Sequence, residues 1–366
     1  MDFIREFRDK DKILALAKLV QNESKKLEKP LNIMEICGGH THSIMKFGVP
    51  KLCGEMINFI HGPGCPVCVM PRERIDEAIK LADDENTIFC TLADMMRVKG
   101  SYKSLMDLRA SGRDIRALYS PLEALKIATN NPAKRVIFFA IGFETTTPMS
   151  AVLIQKSLEM GVKNLFFHIN HVKVPEAISA IMSDKCCKIK AFLAPSHVSV
   201  IVGSNEYSVL AKNFKTPFAI CGFEPLDVLD SVLNLIHQSL QNSHEIYNEY
   251  KRAVRPNGNE LAKSIVARYL KPCDFLWRGL GLIANSGMDL KSEFDEINAK
   301  KCFDCKVESL KENKACICAE ILKGLAKPYD CKVFGKACTP QNPIGSCMVS
   351  GEGACAAYYK YARRKY

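Results

Sequence analysis

The sequence predicts an α/β fold with parallel, doubly wound sheets. Apolar runs of about four to six residues, typical of strands buried on both faces, alternate with amphipathic helical segments. Two successive series of this kind fill the first 230 residues, and the end of the chain is rich in cysteine. Strands joined by crossover helices lie parallel to each other. We therefore expect two α/β domains, residues 1–125 and 126–230, and a mostly helical, cysteine-rich region, residues 231–366.

The first series opens with an amphipathic helix over residues 11–28, whose apolar positions lie among lysines and acids. Two further helices are predicted in PRERIDEAIKLA, where Pro71 suits the first turn, and in SPLEALKIA, where Ser120 is a good N-cap. The strands predicted in this series are LNIMEIC (31–37), EMINFI (55–60) and NTIFCTLA (86–93).

The second series continues the same alternation. Its predicted strands are RVIFFAIGF (135–143), NLFFHIN (164–170), KAFLAPSH (190–197) and TPFAICGF (216–223). Its predicted helices are MSAVLIQKSLEM (149–160), VPEAISAIMS (174–183) and SNEYSVLAKNF (204–214). Glu144 and Glu224 follow two of these strands, where a carboxylate either orients a ligand or caps the next helix, and the sequence leaves both readings open.

Composition limits the class of protein. The 17 cysteines among 366 residues are too small a fraction for a disulfide-rich miniprotein. The N-terminus lacks the apolar core of a signal peptide, and no apolar run approaches the ~20 residues of a membrane span. We therefore expect a cytoplasmic protein, not bound to a membrane, whose cysteines serve metal or thiol chemistry. The net charge of +11 is weak evidence for an acidic partner surface and does not predict nucleic-acid binding.

Two common nucleotide motifs are absent from the sequence. No G-x-x-x-x-G-K-[ST] phosphate loop occurs, which argues against ATP hydrolysis by that route. No G-x-G-x-x-G follows the first predicted strand, so the usual dinucleotide fingerprint is also missing. The chemistry must therefore be sought in other residues.

The first candidate site is ICGGHTH, which places Cys37, His40 and His42 just after a predicted strand. Ligands of doubly wound folds bind outside the carboxyl ends of strands, and the two glycines let the backbone turn tightly there. A thiolate with nearby imidazoles suits iron, zinc or nucleophilic work. A buried structural cysteine beside hydrogen-bonded histidines explains the motif equally well.

The second candidate site is HGPGCPVC, with Cys65 and Cys68 between a predicted strand and a helix. A helix N-terminus stabilises a thiolate, and the spacing of two intervening residues lets the pair close a disulfide. The motif therefore predicts redox dithiol or metal chemistry, with two idle thiols as the alternative.

The third candidate site is the cysteine-rich end of the chain. Four thiolates can hold a zinc ion or an iron–sulfur cluster, and spacing alone does not choose the four. Cys302 and Cys305 with Cys316 and Cys318 would make a zinc knuckle. The eight cysteines of residues 302–366 are Cys302, Cys305, Cys316, Cys318, Cys331, Cys338, Cys347 and Cys355.

Taken together, the motifs MEICGGHTH, HGPGCPVC, IGFETTTP and CGFEP resemble, in this order, those of the HypD family of hydrogenase formation proteins. The resemblance runs from about residue 30 to residue 360. It implies two similar α/β domains and a third domain that carries a [4Fe–4S] cluster. It also implies a scaffold on which the Fe(CN)₂CO unit of [NiFe]-hydrogenases is assembled, in complex with the chaperone HypC and with cyanide supplied by HypE.

The resemblance also assigns roles to residues. Cys37 matches the cysteine that holds the iron of the Fe(CN)₂CO unit together with HypC, and Cys65 and Cys68 match a redox-active dithiol. His40 matches a histidine of the same motif, with a positioning or proton-transfer role, whereas the role of His42 is less defined. The family's cluster cysteines are separated by 14, 6 and 16 residues, a pattern matched here by Cys316, Cys331, Cys338 and Cys355.

This match demotes the zinc knuckle and leaves Cys302, Cys305, Cys318 and Cys347 without an assigned role. Two other classes remain as alternatives to the scaffold. One is a stand-alone thiol–disulfide oxidoreductase that uses Cys65 and Cys68 beside a structural metal site. The other is a non-catalytic binding protein stabilised by zinc, which would be colourless where an iron–sulfur protein is brown.

Overall fold

The chain forms two units, and each of them is discontinuous in sequence. In the computed structural model, which describes residues 6–308, 310 and 314–362, the first unit comprises Met1–Cys65, Ala177–Glu260 and Ala315–Tyr366. The second unit comprises Pro66–Glu176 and Leu261–Lys314. The sequence predicted contiguous domains instead, with boundaries after residues 125 and 230, which fall inside the second and the first unit respectively.

The strands are β1 Leu31–Glu35, β2 Ile57–His61, β3 Thr87–Leu92, β4 Asp114–Leu118, β5 Arg135–Gly142, β6 Leu165–His171, β7 Ala191–Ala194, β8 Phe218–Ile220, β9 Ile246–Asn248, β10 Leu270–Trp277 and β11 Gly281–Leu290. The α-helices are α1 Lys10–Ser24, α2 Gly38–Lys46, α3 Val49–Cys53, α4 Pro66–Val69, α5 Arg72–Ala82, α6 Ala93–Met96, α7 Leu105–Ala110, α8 Leu122–Asn130, α9 Thr147–Glu159, α10 Val174–Met182, α11 Ser196–Val202, α12 Ser204–Phe214, α13 Pro225–Gln241, α14 Glu260–Tyr269, α15 Ala299–Cys302, α16 Cys318–Leu322, α17 Ser346–Val349 and α18 Ala354–Tyr361. Short 3₁₀ helices cover Glu6–Arg8, Ser292–Ile297 and Pro328–Asp330.

The first unit is built on a parallel sheet with the strand order β2-β1-β7-β8-β9. Alternate residues of a strand face opposite sides of the sheet. Leu193 of β7 therefore joins a core with α1, α3 and α13 on one face. On the other face, the ring of Phe218 packs against Tyr207 of α12. Helices thus cover both faces, as the near-continuous apolar strands require.

The second unit is built on a parallel sheet with the strand order β4-β3-β5-β6. Its core combines β3, β5 and β6 with α8 and α9. An antiparallel hairpin of β10 and β11 adds to this unit. In the hairpin, the indole of Trp277 donates a hydrogen bond to the Ser286 hydroxyl at 2.8 Å and stacks on Phe143.

The predicted α/β fold with two parallel sheets is confirmed. The strands of each predicted series, however, do not all lie in the same sheet. The third strand of the first series, β3, lies in the second unit, and β7 and β8 of the second series lie in the first. The stretch predicted as mostly helical from residue 231 contains β9 and the β10–β11 hairpin. No helix in the described part of the chain is long and apolar enough to span a membrane.

Candidate functional site

Two of the predicted motifs meet at one edge of the sheet in the first unit. Strands β1 and β2 pair in parallel, with Glu35 opposite His61 at their carboxyl ends. The ICGGHTH motif leaves β1 and places Cys37 at the N-cap of α2. The HGPGC segment leaves β2. The expectation that both motifs follow strands is therefore met, and parallel pairing brings the two loops together.

The two loops are joined through their backbones. The amide of Gly38 donates to the Gly64 carbonyl at 2.9 Å, and the amide of Gly62 donates to the Glu35 carbonyl at 2.8 Å. A Cβ added at Gly64 would lie 2.4 Å from the Cys37 nitrogen. The residue preceding Cys65 is thus packed directly against the residue that carries the Cys37 thiol.

The carboxylate of Glu35 links several residues at this edge of the sheet through hydrogen bonds. Its side chain is fully buried. One oxygen accepts from the Cys37 amide at 3.0 Å, and the other accepts from the Thr41 hydroxyl and binds Nδ1 of His61. Nε2 of His61 in turn bonds the Tyr358 hydroxyl at 3.0 Å. A buried carboxylate needs several such partners to offset its desolvation.

Sequence reasoning missed this network. The available signal was a single charged residue, Glu35, inside the otherwise apolar run LNIMEIC. Charged side chains are rarely buried without partners, so a glutamate at that position indicates partners brought by other elements. Which elements bring them depends on the strand pairing and on the C-terminal helix α18, neither of which a local pattern shows.

Cys37 is partly exposed as a residue, and its thiol is uncharged at neutral pH. Burial of the sulfur raises the pKa of Cys37 to about 12, against the weaker opposite effect of backbone hydrogen bonds from α2. The nearby carboxylates of Glu35 and Glu352 raise the pKa further. Any metal that binds this sulfur must therefore displace its proton.

His40 is buried, and its ring is fixed by backbone carbonyls. Its Nε2 lies 3.0 Å from the Cys221 oxygen and 3.1 Å from the Gly222 oxygen, so the Nε2–H donates to them. Burial lowers the pKa of His40, which keeps the imidazole neutral. Within the described residues Nδ1 has no hydrogen-bond partner. The ring therefore presents one bare acceptor nitrogen.

His42 faces the C-terminal helix. Its Nε2 bonds the Tyr361 hydroxyl at 2.8 Å. Burial lowers the pKa of His42, and the positive charges of Lys360 and Lys46 lower it further. Its contacts thus join α2 to α18.

Cys65 and Cys68 are disulfide-bonded, as the spacing of the motif allows. Cys65 ends the first segment of the first unit, and Cys68 lies in α4. Both side chains are buried, with 2% and 0% of their surface exposed. Their sulfurs are therefore shielded from large disulfide substrates.

The C-terminal cysteines of the first unit lie close together in space. The sulfurs of Cys316 and Cys318 are 3.1 Å apart. The neighbouring Cys318 thiol and burial together raise the pKa of Cys355 well above its ordinary value. Cys347 also lies near Cys355. Two cysteines predicted to have no role, Cys318 and Cys347, thus lie among those predicted to bind a cluster.

The remaining two predicted cluster cysteines are held by backbone groups. The sulfur of Cys338 accepts from the Ile344 amide at 3.4 Å and also from the Gly345 amide. The thiol of Cys331 points at the Ala315 carbonyl, with the sulfur 3.8 Å from the oxygen. Buried sulfurs that accept from amides are suited to an iron–sulfur cluster, so the donor set fits such a group chemically.

These thiols are close together but not arranged around an ion. In the part of the chain that the structure describes, no group of three or more His, Cys, Asp or Glu side chains is placed to hold a metal. The zinc knuckle considered from the sequence draws on both units, because Cys302 and Cys305 belong to the second and Cys316 and Cys318 to the first.

The cysteine-rich segment is tied to the Cys37 loop through helices α2 and α18, which pack against each other. At the start of α2, a Cβ added at Gly38 would lie 2.3 Å from Cβ of Glu352. The His42–Tyr361 pair lies further along the same two helices. Cys355, near the start of α18, is thereby held beside the helix that Cys37 caps.

The two glutamates singled out at strand ends have different surroundings. Glu224 is the N-cap residue of α13, and its amide donates to the Asp227 carboxylate at 3.1 Å. Its own carboxylate accepts from the Arg8 guanidinium at 2.8 Å. Glu144 accepts at 3.0 Å from the amide of Val174, the first residue of α10. Burial raises the pKa of Glu144 to about 8, so this carboxyl is largely protonated at neutral pH.

The fold and these sites define a class of protein: a two-unit α/β protein with a free cysteine and a disulfide at one sheet edge, beside a group of buried thiols. The model of the family described as "HypD: Hydrogenase formation hypA family" matches residues 11–362. The chain is 44% identical to the hydrogenase maturation factor HypD of Azotobacter vinelandii, over 100% of this chain and 98% of that protein.

Other relatives agree with this match. Identity is 44% to the Rhodobacter capsulatus HypD, over 99% of this chain and 98% of the relative. It is 40% to the Escherichia coli K12 HypD, over 100% and 99%. The chain therefore belongs to the HypD family of hydrogenase maturation factors.

Proposed function

We propose that this protein is a scaffold on which the Fe(CN)₂CO unit of a [NiFe]-hydrogenase is assembled. The iron, carrying cyanide and CO, is the cargo, and the work is done with a HypC-type chaperone and a HypE-type cyanide donor in the cytoplasm. The observation that carries the proposal is the packing of Gly64 on Cys37, which puts a free thiol beside a disulfide-forming loop. The membership in the HypD family supports the same role.

Cys37 is the proposed iron ligand on this chain. It is a partly exposed residue at the carboxyl end of a parallel strand, the position where α/β sheets bind ligands. A soft thiolate suits Fe(II) that also carries cyanide and CO. Because burial keeps the thiol protonated without metal, iron binding releases one proton, and the bare Nδ1 of His40 gives that imidazole the capacity to accept or position one.

Cys65 and Cys68 are the proposed redox pair. Closing their disulfide releases two electrons and two protons, and opening it consumes them. The electrons are proposed to serve ligand attachment to the iron at Cys37. Gly64 adjoins Cys65 and touches Cys37, so the proposed electron donor and the proposed cargo site lie on two loops that are in contact.

Cys316, Cys331, Cys338 and Cys355 are the proposed holders of a [4Fe–4S] cluster. When bound, such a cluster supplies one-electron transfer. The buried sulfur of Cys338 accepts an amide hydrogen bond, and the α2–α18 contact holds Cys355 near Cys37.

The role of the chain can be tested by complementation. In cells that lack their own family member, the wild-type chain should restore [NiFe]-hydrogenase activity, and Cys37→Ala, Cys65→Ser and Cys68→Ser should not. Cys53→Ala is the matched control, because Cys53 is a buried thiol at the end of α3 in the same unit as Cys37. An active hydrogenase matured by Cys37→Ala would rule out the iron-ligand role.

The alternative function is a stand-alone thiol–disulfide oxidoreductase with a structural metal site, and the closed Cys65–Cys68 disulfide is the observation in its favour. It predicts turnover of a disulfide substrate by the isolated chain without a chaperone. The near-complete burial of both sulfurs disfavours it, because exchange requires direct attack on an accessible sulfur.

A further inference from the structure

The cysteine-rich segment holds more thiols than a cluster needs. A [4Fe–4S] cluster takes four thiolates, one on each iron. Residues 315–366 contain six cysteines, so two of them must lie outside the ligand set. The six are Cys316, Cys318, Cys331, Cys338, Cys347 and Cys355.

Cys318 lies against one of the predicted cluster cysteines. Its sulfur is 3.1 Å from the sulfur of Cys316. A Cβ added at Gly345 would lie 2.5 Å from both the Cys316 and the Cys318 sulfur, so both thiols face the same glycine. The two sulfurs are thus presented to one small space.

Cys338 is near the same pair of sulfurs. Its sulfur accepts from the Ile344 amide at 3.4 Å. Ile344 adjoins Gly345, where an added Cβ would lie 2.5 Å from both the Cys316 and the Cys318 sulfur. Nothing in these contacts favours Cys316 over Cys318 as the partner of the other ligands.

We infer that Cys318 can supply the cluster ligand that the spacing pattern assigns to Cys316, so that the site carries one spare thiolate. This inference rests on the proposed [4Fe–4S] cluster. Because each iron of the cluster binds one cysteine, only one of the Cys316 and Cys318 sulfurs can bind a given iron. The separation of 3.1 Å means that an exchange between them needs only a small movement of the chain over Cys316–Cys318.

Cys347 differs from Cys318 in its fixed position. It lies inside the short helix α17 and is fully buried. A Cβ at Gly353 would lie 2.2 Å from its carbonyl oxygen, which shows how closely the following turn packs on it. Cys347 is therefore the matched control: a buried thiol of the same segment whose backbone is fixed in a helix.

The test measures iron and acid-labile sulfide in the anaerobically purified, full-length protein, with the visible sulfur-to-iron absorption. Cys316→Ser and Cys318→Ser should each keep at least about half of the wild-type iron, because the remaining thiol of the pair binds the same iron. The double variant should fall to about a tenth or less, as should Cys331→Ser, since one iron then lacks any thiolate. Cys316→Ser combined with Cys347→Ser should behave like Cys316→Ser alone.

Two outcomes overturn the inference. Iron loss in Cys316→Ser as complete as in Cys331→Ser means that Cys318 does not replace Cys316. Iron loss in Cys318→Ser alone means that Cys318 is obligatory and not a spare. A wild type that takes up no cluster on anaerobic reconstitution overturns the proposed cluster itself, so the two failures are distinguishable.

A second measurement needs no variant and covers the case in which a variant does not fold. The wild-type holoprotein is treated anaerobically with a small alkylating agent, and the labelled cysteines are mapped by mass spectrometry while iron is followed. If Cys318 can bind that iron, Cys316 becomes labelled with the iron retained. If Cys316 is labelled only to the extent that iron is lost, the inference is overturned.

Discussion

Gly64 packs against the backbone of Cys37 so closely that a Cβ at Gly64 would lie 2.4 Å from the Cys37 nitrogen and 2.5 Å from its Cα. Side-chain carbons do not approach backbone atoms to such distances. The loop that carries Cys65 and Cys68 can therefore adjoin the Cys37 backbone only because residue 64 has no side chain. This contact brings the loop of the proposed redox pair next to the proposed iron ligand.

The Gly64–Cys37 contact predicts the effect of one added methyl group. Gly64→Ala should push the two loops apart, lower the free energy of unfolding by about 1–3 kcal/mol through overpacking, and abolish hydrogenase maturation. Gly351→Ala is the control, because Gly351 is exposed and has no atom within 4 Å of an added Cβ. Urea unfolding and the complementation assay measure both effects. A Gly64→Ala chain with wild-type stability and maturation would show that the contact is not required.

Gly345 makes a similar prediction for the thiol group. Its φ of −105° suits any residue, so Gly345→Ala acts only through the methyl group, which meets the sulfurs of Cys316 and Cys318 at 2.5 Å. We expect the variant to fold, as judged by circular dichroism, and to bind several-fold less iron after anaerobic reconstitution. Wild-type iron content in Gly345→Ala would contradict the proposed position of the cluster ligands.

The hydrogen bond between His61 and Tyr358 should contribute measurable stability. Tyr358→Phe removes the hydroxyl that Nε2 of His61 bonds, and leaves a buried nitrogen unpaired at a cost of about 1–3 kcal/mol. Tyr119→Phe, at a fully exposed tyrosine, should change the free energy of unfolding by no more than about 0.5 kcal/mol. Equal effects of the two substitutions in urea unfolding would show that the buried network does not hold α18.

Glu144 predicts a pH dependence of stability. Burial raises the pKa of this carboxyl from its ordinary 4.5 to about 8. Between these values the folded chain holds a proton that the unfolded chain has lost, so this contribution to stability is complete below pH 4.5 and is lost as pH rises through about 8.

Glu144→Gln removes the titrating group but keeps an oxygen for the Val174 amide. The free energy of unfolding of the wild type should therefore fall more steeply over that pH window than that of the variant. Glu159→Gln, at an exposed glutamate, serves as the control and should follow the wild type. Parallel pH profiles of wild type and Glu144→Gln would contradict the raised pKa.

Local patterns predicted the strands and helices that position Cys37, Cys65 and Cys68, because each motif follows an apolar run of strand length. They did not predict which sheet a strand joins, since β3 and β7 are equally apolar and only their side-chain packing with distant elements selects the partner. The short strand β4 was missed because its sequence, DIRAL, carries two charges.

The site residues that could be predicted are those whose chemistry the spacing of the cysteines indicates. Spacing cannot show that the C-terminal helix returns to α2, or that Tyr358 completes the partners of a buried glutamate in β1. Spacing offered Cys318 only a place in a zinc knuckle, and the family pattern then left it without a role, whereas the folded loop brings its sulfur into contact with that of Cys316.

The central claim is that Cys37 holds an iron carrying cyanide and CO, and infrared spectroscopy tests it most directly. The protein is co-purified anaerobically with a HypC-type chaperone from cells that are maturing hydrogenase. The wild-type complex should show cyanide and CO stretching bands. Cys37→Ala should lose them while keeping its visible iron–sulfur absorption, and Cys53→Ala should keep both. Bands of wild-type intensity in Cys37→Ala, or no bands in the wild-type complex, would contradict the claim.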